Sequence, residues 1–194
     1  QKYFADSVIR DEHGRLKPMY HGTADDFTIF DVMKQGGKNG AAEGYGIYLT
    51  DSEVVASPYS NAGRLMKGYV NITNPATSFI NESDLVKLIK TTCEAEAKAY
   101  VEDDEYDSIE DALKDTWVSN YVYTYDMSMD EVYREVAAQI IGSESNDKDI
   151  IQEVMLANGV RDYASAYKFY DTLKDTLGID GFITEWESSE LPEG

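Results

Sequence analysis

At residue 82 the apolar pattern of this chain changes its period, and that change constrains the fold more than any single motif. Before it, the segments are short, β-prone and punctuated by glycine. Residues 8–15 read as a strand turning at Glu12-His13-Gly14 and re-entering over 16–21. Residues 46–50 and 68–72 are β-rich runs of strand length, the second stopped by Asn74-Pro75. After the change the spacing is helical. Leu85, Leu88 and Ile89 recur at i, i+3, i+4 behind a candidate cap at Ser83. Ser128 and Glu131 have capping-box spacing, and Val132, Val136 and Ile140 line one face beyond them. Residues 149–156 continue in kind, and 163–177 end at Gly178, a residue suited to a left-handed helix stop. Residues 179–186 return to strand composition. The pattern predicts an α+β fold in one domain of 194 residues: a β-rich part over 1–80, a helical insertion over 82–177 and a returning strand over 179–186.

Charge narrows the partners. Lys and Arg total 17 against 37 Asp and Glu, a formal net charge of −20. A surface of that sign repels nucleic-acid backbones and anionic lipid, which are usually bound through clustered Lys and Arg, so a DNA- or RNA-binding role is disfavoured. The acidity otherwise serves solubility. The stretch Glu102-Asp103-Asp104-Glu105-Tyr106-Asp107 lacks the alternate-position ligands and central glycine of an EF-hand loop, and it reads as a solvated interhelical loop. Cys93 is the one cysteine, so no intrachain disulfide framework exists and a reducing compartment fits. Two histidines, one cysteine and scattered acids show no metal-ligand spacing. No apolar run approaches the roughly 18 residues that span a bilayer, and no signal-peptide pattern opens the chain. A first residue other than Met makes the chain read as a piece of a larger polyprotein.

Three groups in the β-rich part carry candidate chemistry. They are Met19-Tyr20-His21-Gly22-Thr23, followed by Phe27 and Phe30; Gly44-Tyr45-Gly46-Ile47-Tyr48-Leu49-Thr50-Asp51, followed by Ala56 and Tyr59; and Tyr69-Val70-Asn71-Ile72-Thr73-Asn74-Pro75. A His at a strand end followed by Gly sets an imidazole beside backbone that a flat ligand can approach, since Gly22 has no Cβ. Gly44 and Gly46 allow the same approach beside Tyr48. Tyr48 on a strand and Tyr59 on a following helix would offer two aromatic faces to a planar, positively charged ring. By itself such a His is more often a satisfied structural histidine than a ligand, and two tyrosines among 15 are more often core or surface filler.

Together these groups resemble the His-Tyr-Glu class of ADP-ribosyltransferases, which includes the poly(ADP-ribose) polymerases and the diphtheria-toxin-like enzymes. The closer likeness is to ADP-ribosyltransferase-like domains in phage and mobile-element polyproteins of gut bacteria. It covers residues 3–80, and Ile179-Asp180-Gly181-Phe182-Ile183 is similar to the family's later strand. The resemblance implies a split β-sheet core interrupted by the helical insertion, and NAD as substrate. His21 would bond the adenine-side ribose, Gly22 would clamp the nicotinamide carboxamide through its backbone, with Thr23 beside it, and Tyr48 and Tyr59 would sandwich the nicotinamide ring. The polymerases hold the carboxamide with a further serine; this chain has Ala56 there, with Ser57 beside it. The reaction would break the bond between nicotinamide and ribose, with a carboxylate steadying the oxocarbenium-like ribose. The family's run around that Glu is missing, and Glu185 is the candidate, with Glu187, Glu190 and Glu193 downstream.

The leading expectation is an NAD-dependent mono-ADP-ribosyltransferase, an effector or toxin-like module modifying a protein acceptor in the cytoplasm, its own or that of a target cell. The alternatives are a catalytically inactive module on the same fold that binds NAD or a protein, and an acidic adaptor docking a basic partner through residues 102–107.

Overall fold

The computed structural model describes residues 2–31, 45–76, 80–143 and 147–183. Two small sheets and a block of helices make up the α+β architecture. Strand β1 (Met19–Thr23) pairs antiparallel with β2 (Arg64–Gly68) in a register that sets His21 opposite Met66 and Gly22 opposite Leu65. Between them come the short helix α1 (Glu53–Ala56) and a 3-10 turn over Ser57–Ser60. Strand β3 (Pro75–Ala76) pairs in parallel with β4 (Gly181–Phe182), at the far end of the described chain. The helical segment lies between those two: α2 (Glu82–Glu102), α3 (Ile109–Leu113), a 3-10 turn over Trp117–Asn120, α4 (Met129–Ser143), α5 (Asp147–Ala157) and α6 (Tyr163–Leu177).

The helices form where periodicity and caps agree. Ser128 and Glu131 close the expected capping box, with the Ser128 N–H on the Glu131 carboxylate at 3.0 Å and the Glu131 N–H on Ser128 Oγ at 3.4 Å. A second box, Asp162 with Ser165, starts α6, and Gly178 ends it at φ 72°. The cap of α2 is Asn81 rather than Ser83: its side chain accepts from the Asp84 N–H at 2.9 Å, so the cap sits two residues before the predicted one. Leu85, Leu88, Ile89, Val132, Val136 and Ile140 are all buried and meet side chains of α5 and α6 in one core. Each large apolar side chain buried this way contributes about 1.5–3 kcal/mol. Cys93 lies inside that core, where burial pushes its thiol up to about 12, which keeps it protonated and unreactive. The acidic stretch runs from the end of α2 into the link before α3, between two helices as expected. No described helix is long and apolar enough to cross a membrane.

The β-rich part is less regular than its composition predicts. The turn at residues 12–14 forms, with Gly14 at φ 74°, but its strands amount to an isolated bridge between Arg10 and Leu16. Residues 46–50 make no strand; Thr50 alone bridges to Tyr20. Residues 68–72 leave the ladder at Gly68, where the register with β1 runs out, and continue with one backbone bond from the Val8 N–H to the Ile72 carbonyl at 2.8 Å. The returning strand is two residues long among those described, and residues 184–186 lie outside them. Polar contacts do the fastening here. The Arg10 guanidinium donates to the carbonyls of Phe4, Ala5, Ser7 and Gly14, each at 2.9 Å, and so gathers the N-terminal turn. Asp180 accepts from the Thr73 hydroxyl at 2.7 Å and from the Thr73 and Asn74 N–H groups at 2.9 Å, fastening β4 beside β3. Burial opposes ionisation of Asp180, yet these bonds outweigh it and hold its carboxyl below the usual carboxylate range.

Candidate functional site

Strand β1 has a different neighbour on each edge. On one it meets β2; on the other Tyr20 and Thr50 exchange both backbone bonds, at 2.7 and 3.0 Å. In an antiparallel ladder the N–H and C=O of every second residue face the same neighbour, so those of Gly22 face the Thr50 side with those of Tyr20. Continuing that register would put Tyr48 opposite Gly22. The ladder stops instead: among the described residues no backbone bond joins Gly22 to Tyr48. The Tyr48 carbonyl accepts from the His21 ring, with Nδ1 to oxygen at 2.8 Å. A carbonyl only accepts, so Nδ1 carries the proton and Nε2 is the acceptor of the neutral imidazole. Phe30 meets the His21 ring edge-on at 5.0 Å, and Phe27 lies 6.3 Å away. His21 therefore sits at the middle of its strand rather than at its end, and its ring takes the carbonyl that a longer strand at residues 46–50 would have offered to β1.

The face of Gly22 is as constrained as its edge. A Cβ there would collide with the Ala56 carbonyl and lie 2.9 Å from the Ser60 nitrogen and 3.0 Å from the Tyr59 carbonyl carbon. Glycine is what allows α1 and the following 3-10 turn to rest on the strand. Ser52 caps α1 through the Val55 N–H at 3.3 Å, and Pro58 opens the 3-10 turn. The Tyr59 backbone consequently lies against Gly22, and the Tyr48 carbonyl against the His21 ring, with Tyr48 40% and Tyr59 45% exposed. Asn61 and Ala62, both left-handed at φ 44° and 64°, then fold the chain back into β2.

The remaining predicted residues fall elsewhere. Thr23 is buried, and its hydroxyl accepts from the Asp25 N–H at 3.1 Å, which serves the local turn. Ala56 is buried against Gly22, whereas Ser57 is exposed on the 3-10 turn and its carbonyl accepts from Ser60 Oγ at 2.7 Å. Gly44, Glu185, Glu187, Glu190 and Glu193 lie outside the described residues. Asp51 pairs with Lys17, an exposed contact of small energetic weight.

Sequence reasoning missed how the Tyr48 loop is held at its other end. Tyr45 meets the Tyr163 ring edge-on at 4.9 Å, and its carbonyl accepts from the Tyr170 hydroxyl at 2.6 Å. Both partners belong to α6, where helical spacing marks them as helix residues and says nothing of a contact 125 positions away.

Residues 11–171 match the family model described as ADP-ribosyltransferase in polyvalent proteins. The match takes in β1, the Tyr48 loop, α1 and most of the helical segment, and it stops before β4. Comparison with curated proteins gives no match, and neither does comparison with solved structures. A match over this much of the chain shows the family, and the chain belongs to the ADP-ribosyltransferases of polyvalent proteins.

Proposed function

We infer that this chain is a mono-ADP-ribosyltransferase that uses NAD as substrate and modifies a protein side chain. One observation carries the reading: the Gly22 N–H and C=O face the side of β1 where the ladder to residues 46–50 fails, with Tyr48 and Tyr59 on the flanking segments. A primary amide offers one acceptor and two donors, which suits a single residue's paired N–H and C=O. The nicotinamide carboxamide would bind there, its cationic ring between the two phenols, while His21 bonds the adenine-side ribose. The bond from ribose C1′ to the nicotinamide nitrogen breaks and the nitrogen keeps the electron pair. The acceptor nucleophile then bonds to C1′ and loses its proton. A carboxylate steadies the cationic ribose, and Glu185 is the candidate. The reading takes residues 1–194 as one domain of a larger polyprotein, working in the cytoplasm of its own or a target cell. A net charge of −20 favours a protein acceptor over a nucleic acid.

Calorimetry with NAD and a nicotinamide-release assay test this. Wild type should bind and release, and His21→Ala should weaken NAD affinity about tenfold, the 1.4 kcal/mol expected of a ligand hydrogen bond, with an unchanged circular-dichroism spectrum. No NAD binding would end the reading. Binding with no turnover in the presence of protein acceptors would leave a catalytically inactive module, and an unfolded His21→Ala would make that histidine structural.

A further inference from the structure

Residues 45–50 are fixed at three points. Thr50 exchanges both backbone bonds with Tyr20, Tyr48 gives its carbonyl to His21, and Tyr45 is seated on α6. The first sets Thr50 in register on β1. The second and third give the Tyr48 and Tyr45 carbonyls to side chains, the His21 ring and the Tyr170 hydroxyl, instead of to the ladder. Tyr163 and Tyr170 are two helical turns apart and so share one face of α6. The Tyr163 ring meets the Tyr45 ring at 4.9 Å, and the Tyr170 hydroxyl donates to the Tyr45 carbonyl at 2.6 Å. Tyr170 is itself steadied by Phe169 and by Phe182 of β4, with ring centroids 6.2 and 6.1 Å away.

The competing arrangement is plain from the register. Tyr20 opposite Thr50 leads to Gly22 opposite Tyr48, and closing that pair would add two backbone bonds and occupy the edge of Gly22. The segment does not close, and Tyr45 is held by an element that belongs to neither sheet. We propose that Tyr170 is a positioning residue for the transfer reaction: through the Tyr45 carbonyl it keeps residues 45–49 drawn off β1, so that the Gly22 edge stays open to nicotinamide with Tyr48 beside it. The proposal rests on the NAD reading above. The hydroxyl that does this stays a donor across any working pH, since burial, and then the neighbouring tyrosines, push Tyr170 up to about 12.

Two readouts test it in Tyr170→Phe, which removes one oxygen and keeps the ring packing. Under native conditions chymotrypsin should cut after Tyr48 at least fivefold more slowly than in wild type, because closing the Tyr48–Gly22 pair takes that stretch of backbone into the ladder. In the nicotinamide-release assay KM for NAD should rise about tenfold, with kcat within threefold. Tyr106→Phe is the control. It loses a hydroxyl bond to Asp115 at 2.8 Å elsewhere in the helical segment, and it should move neither readout. Tyr163→Leu should shift both in the direction of Tyr170→Phe, by less, and decides the matter if Tyr170→Phe does not fold. If wild type fails to bind NAD, the NAD reading falls and the cleavage rate alone decides the latch. Wild-type cleavage and KM in both α6 variants overturn the proposal while leaving the NAD reading intact.

Discussion

The helical segment and the β-rich part are held together by different physics. From Leu85 to Leu173 most of the buried residues are apolar, and large ones such as Leu85, Leu88, Ile89, Val136, Ile140, Met155, Phe169 and Leu173 form one connected core. In the described residues before 77, the buried side chains are Ser7, Thr23, Ala56 and Ala76. That half relies on a few directional bonds: the Arg10 fork, the His21 contact to Tyr48 and the Asp180 clamp. Apolar burial is non-directional and additive, whereas one hydrogen bond contributes about 1 kcal/mol net. The candidate site is therefore in the weakly held half, the usual place for segments that move around a ligand.

The largest test of this contrast removes bulk from the helical core. Leu88→Ala should lower the unfolding free energy by about 3 kcal/mol in urea titration, as cavity-forming core substitutions do. A loss below about 1 kcal/mol would break the comparison, since the helices would then not be the seat of stability. Next in size is Gly22→Ala, whose Cβ must push the Ala56–Ser60 backbone off β1. Nicotinamide release should fall roughly a hundredfold, as a displacement near 1 Å can do, with far less lost in stability than for Leu88→Ala. Retained turnover would mean that Gly22 serves only packing. The smallest effect is expected at Asp180. Its folded pKa is depressed, so its contribution is complete above the unfolded value of about 3.9 and fades as pH falls through it toward the folded pKa. Wild type should exceed Asp180→Asn in stability by on the order of 1 kcal/mol at pH 7, and the gap should narrow below about pH 4. A gap that stays constant down to pH 3 contradicts the clamp.

What could be read in the residues follows the same division. Helix periodicity is local, so α6 with its Gly178 stop and the Ser128–Glu131 box stand in the structure where their spacing puts them. The strands fared worse because a strand exists only where a partner pairs with it. Residues 46–50 have β composition, yet His21 and α6 claim their contacts; residues 68–72 outrun the five-residue β1. The cap at Asn81 was displaced by two residues because Asn, like Ser, offers a short acceptor. For the site, the family pattern singled out His21-Gly22, Tyr48 and Tyr59, and the structure sets the His21 ring on the Tyr48 carbonyl and the Tyr59 backbone against Gly22. The roles of Tyr45, Tyr163 and Tyr170 were not, since nothing local in α6 announces a partner 125 residues upstream.

The parallel pairing of β3 with β4 has a consequence for how such a chain can vary. It brings the entry and exit of the helical segment to neighbouring strands, about 4.8 Å apart. Ports so close are indifferent to what is plugged between them, and doubling the length of an enclosed loop costs only about 0.6 kcal/mol. Helices can be added to or trimmed from that socket, provided α6 still offers its tyrosine seat, without moving β1.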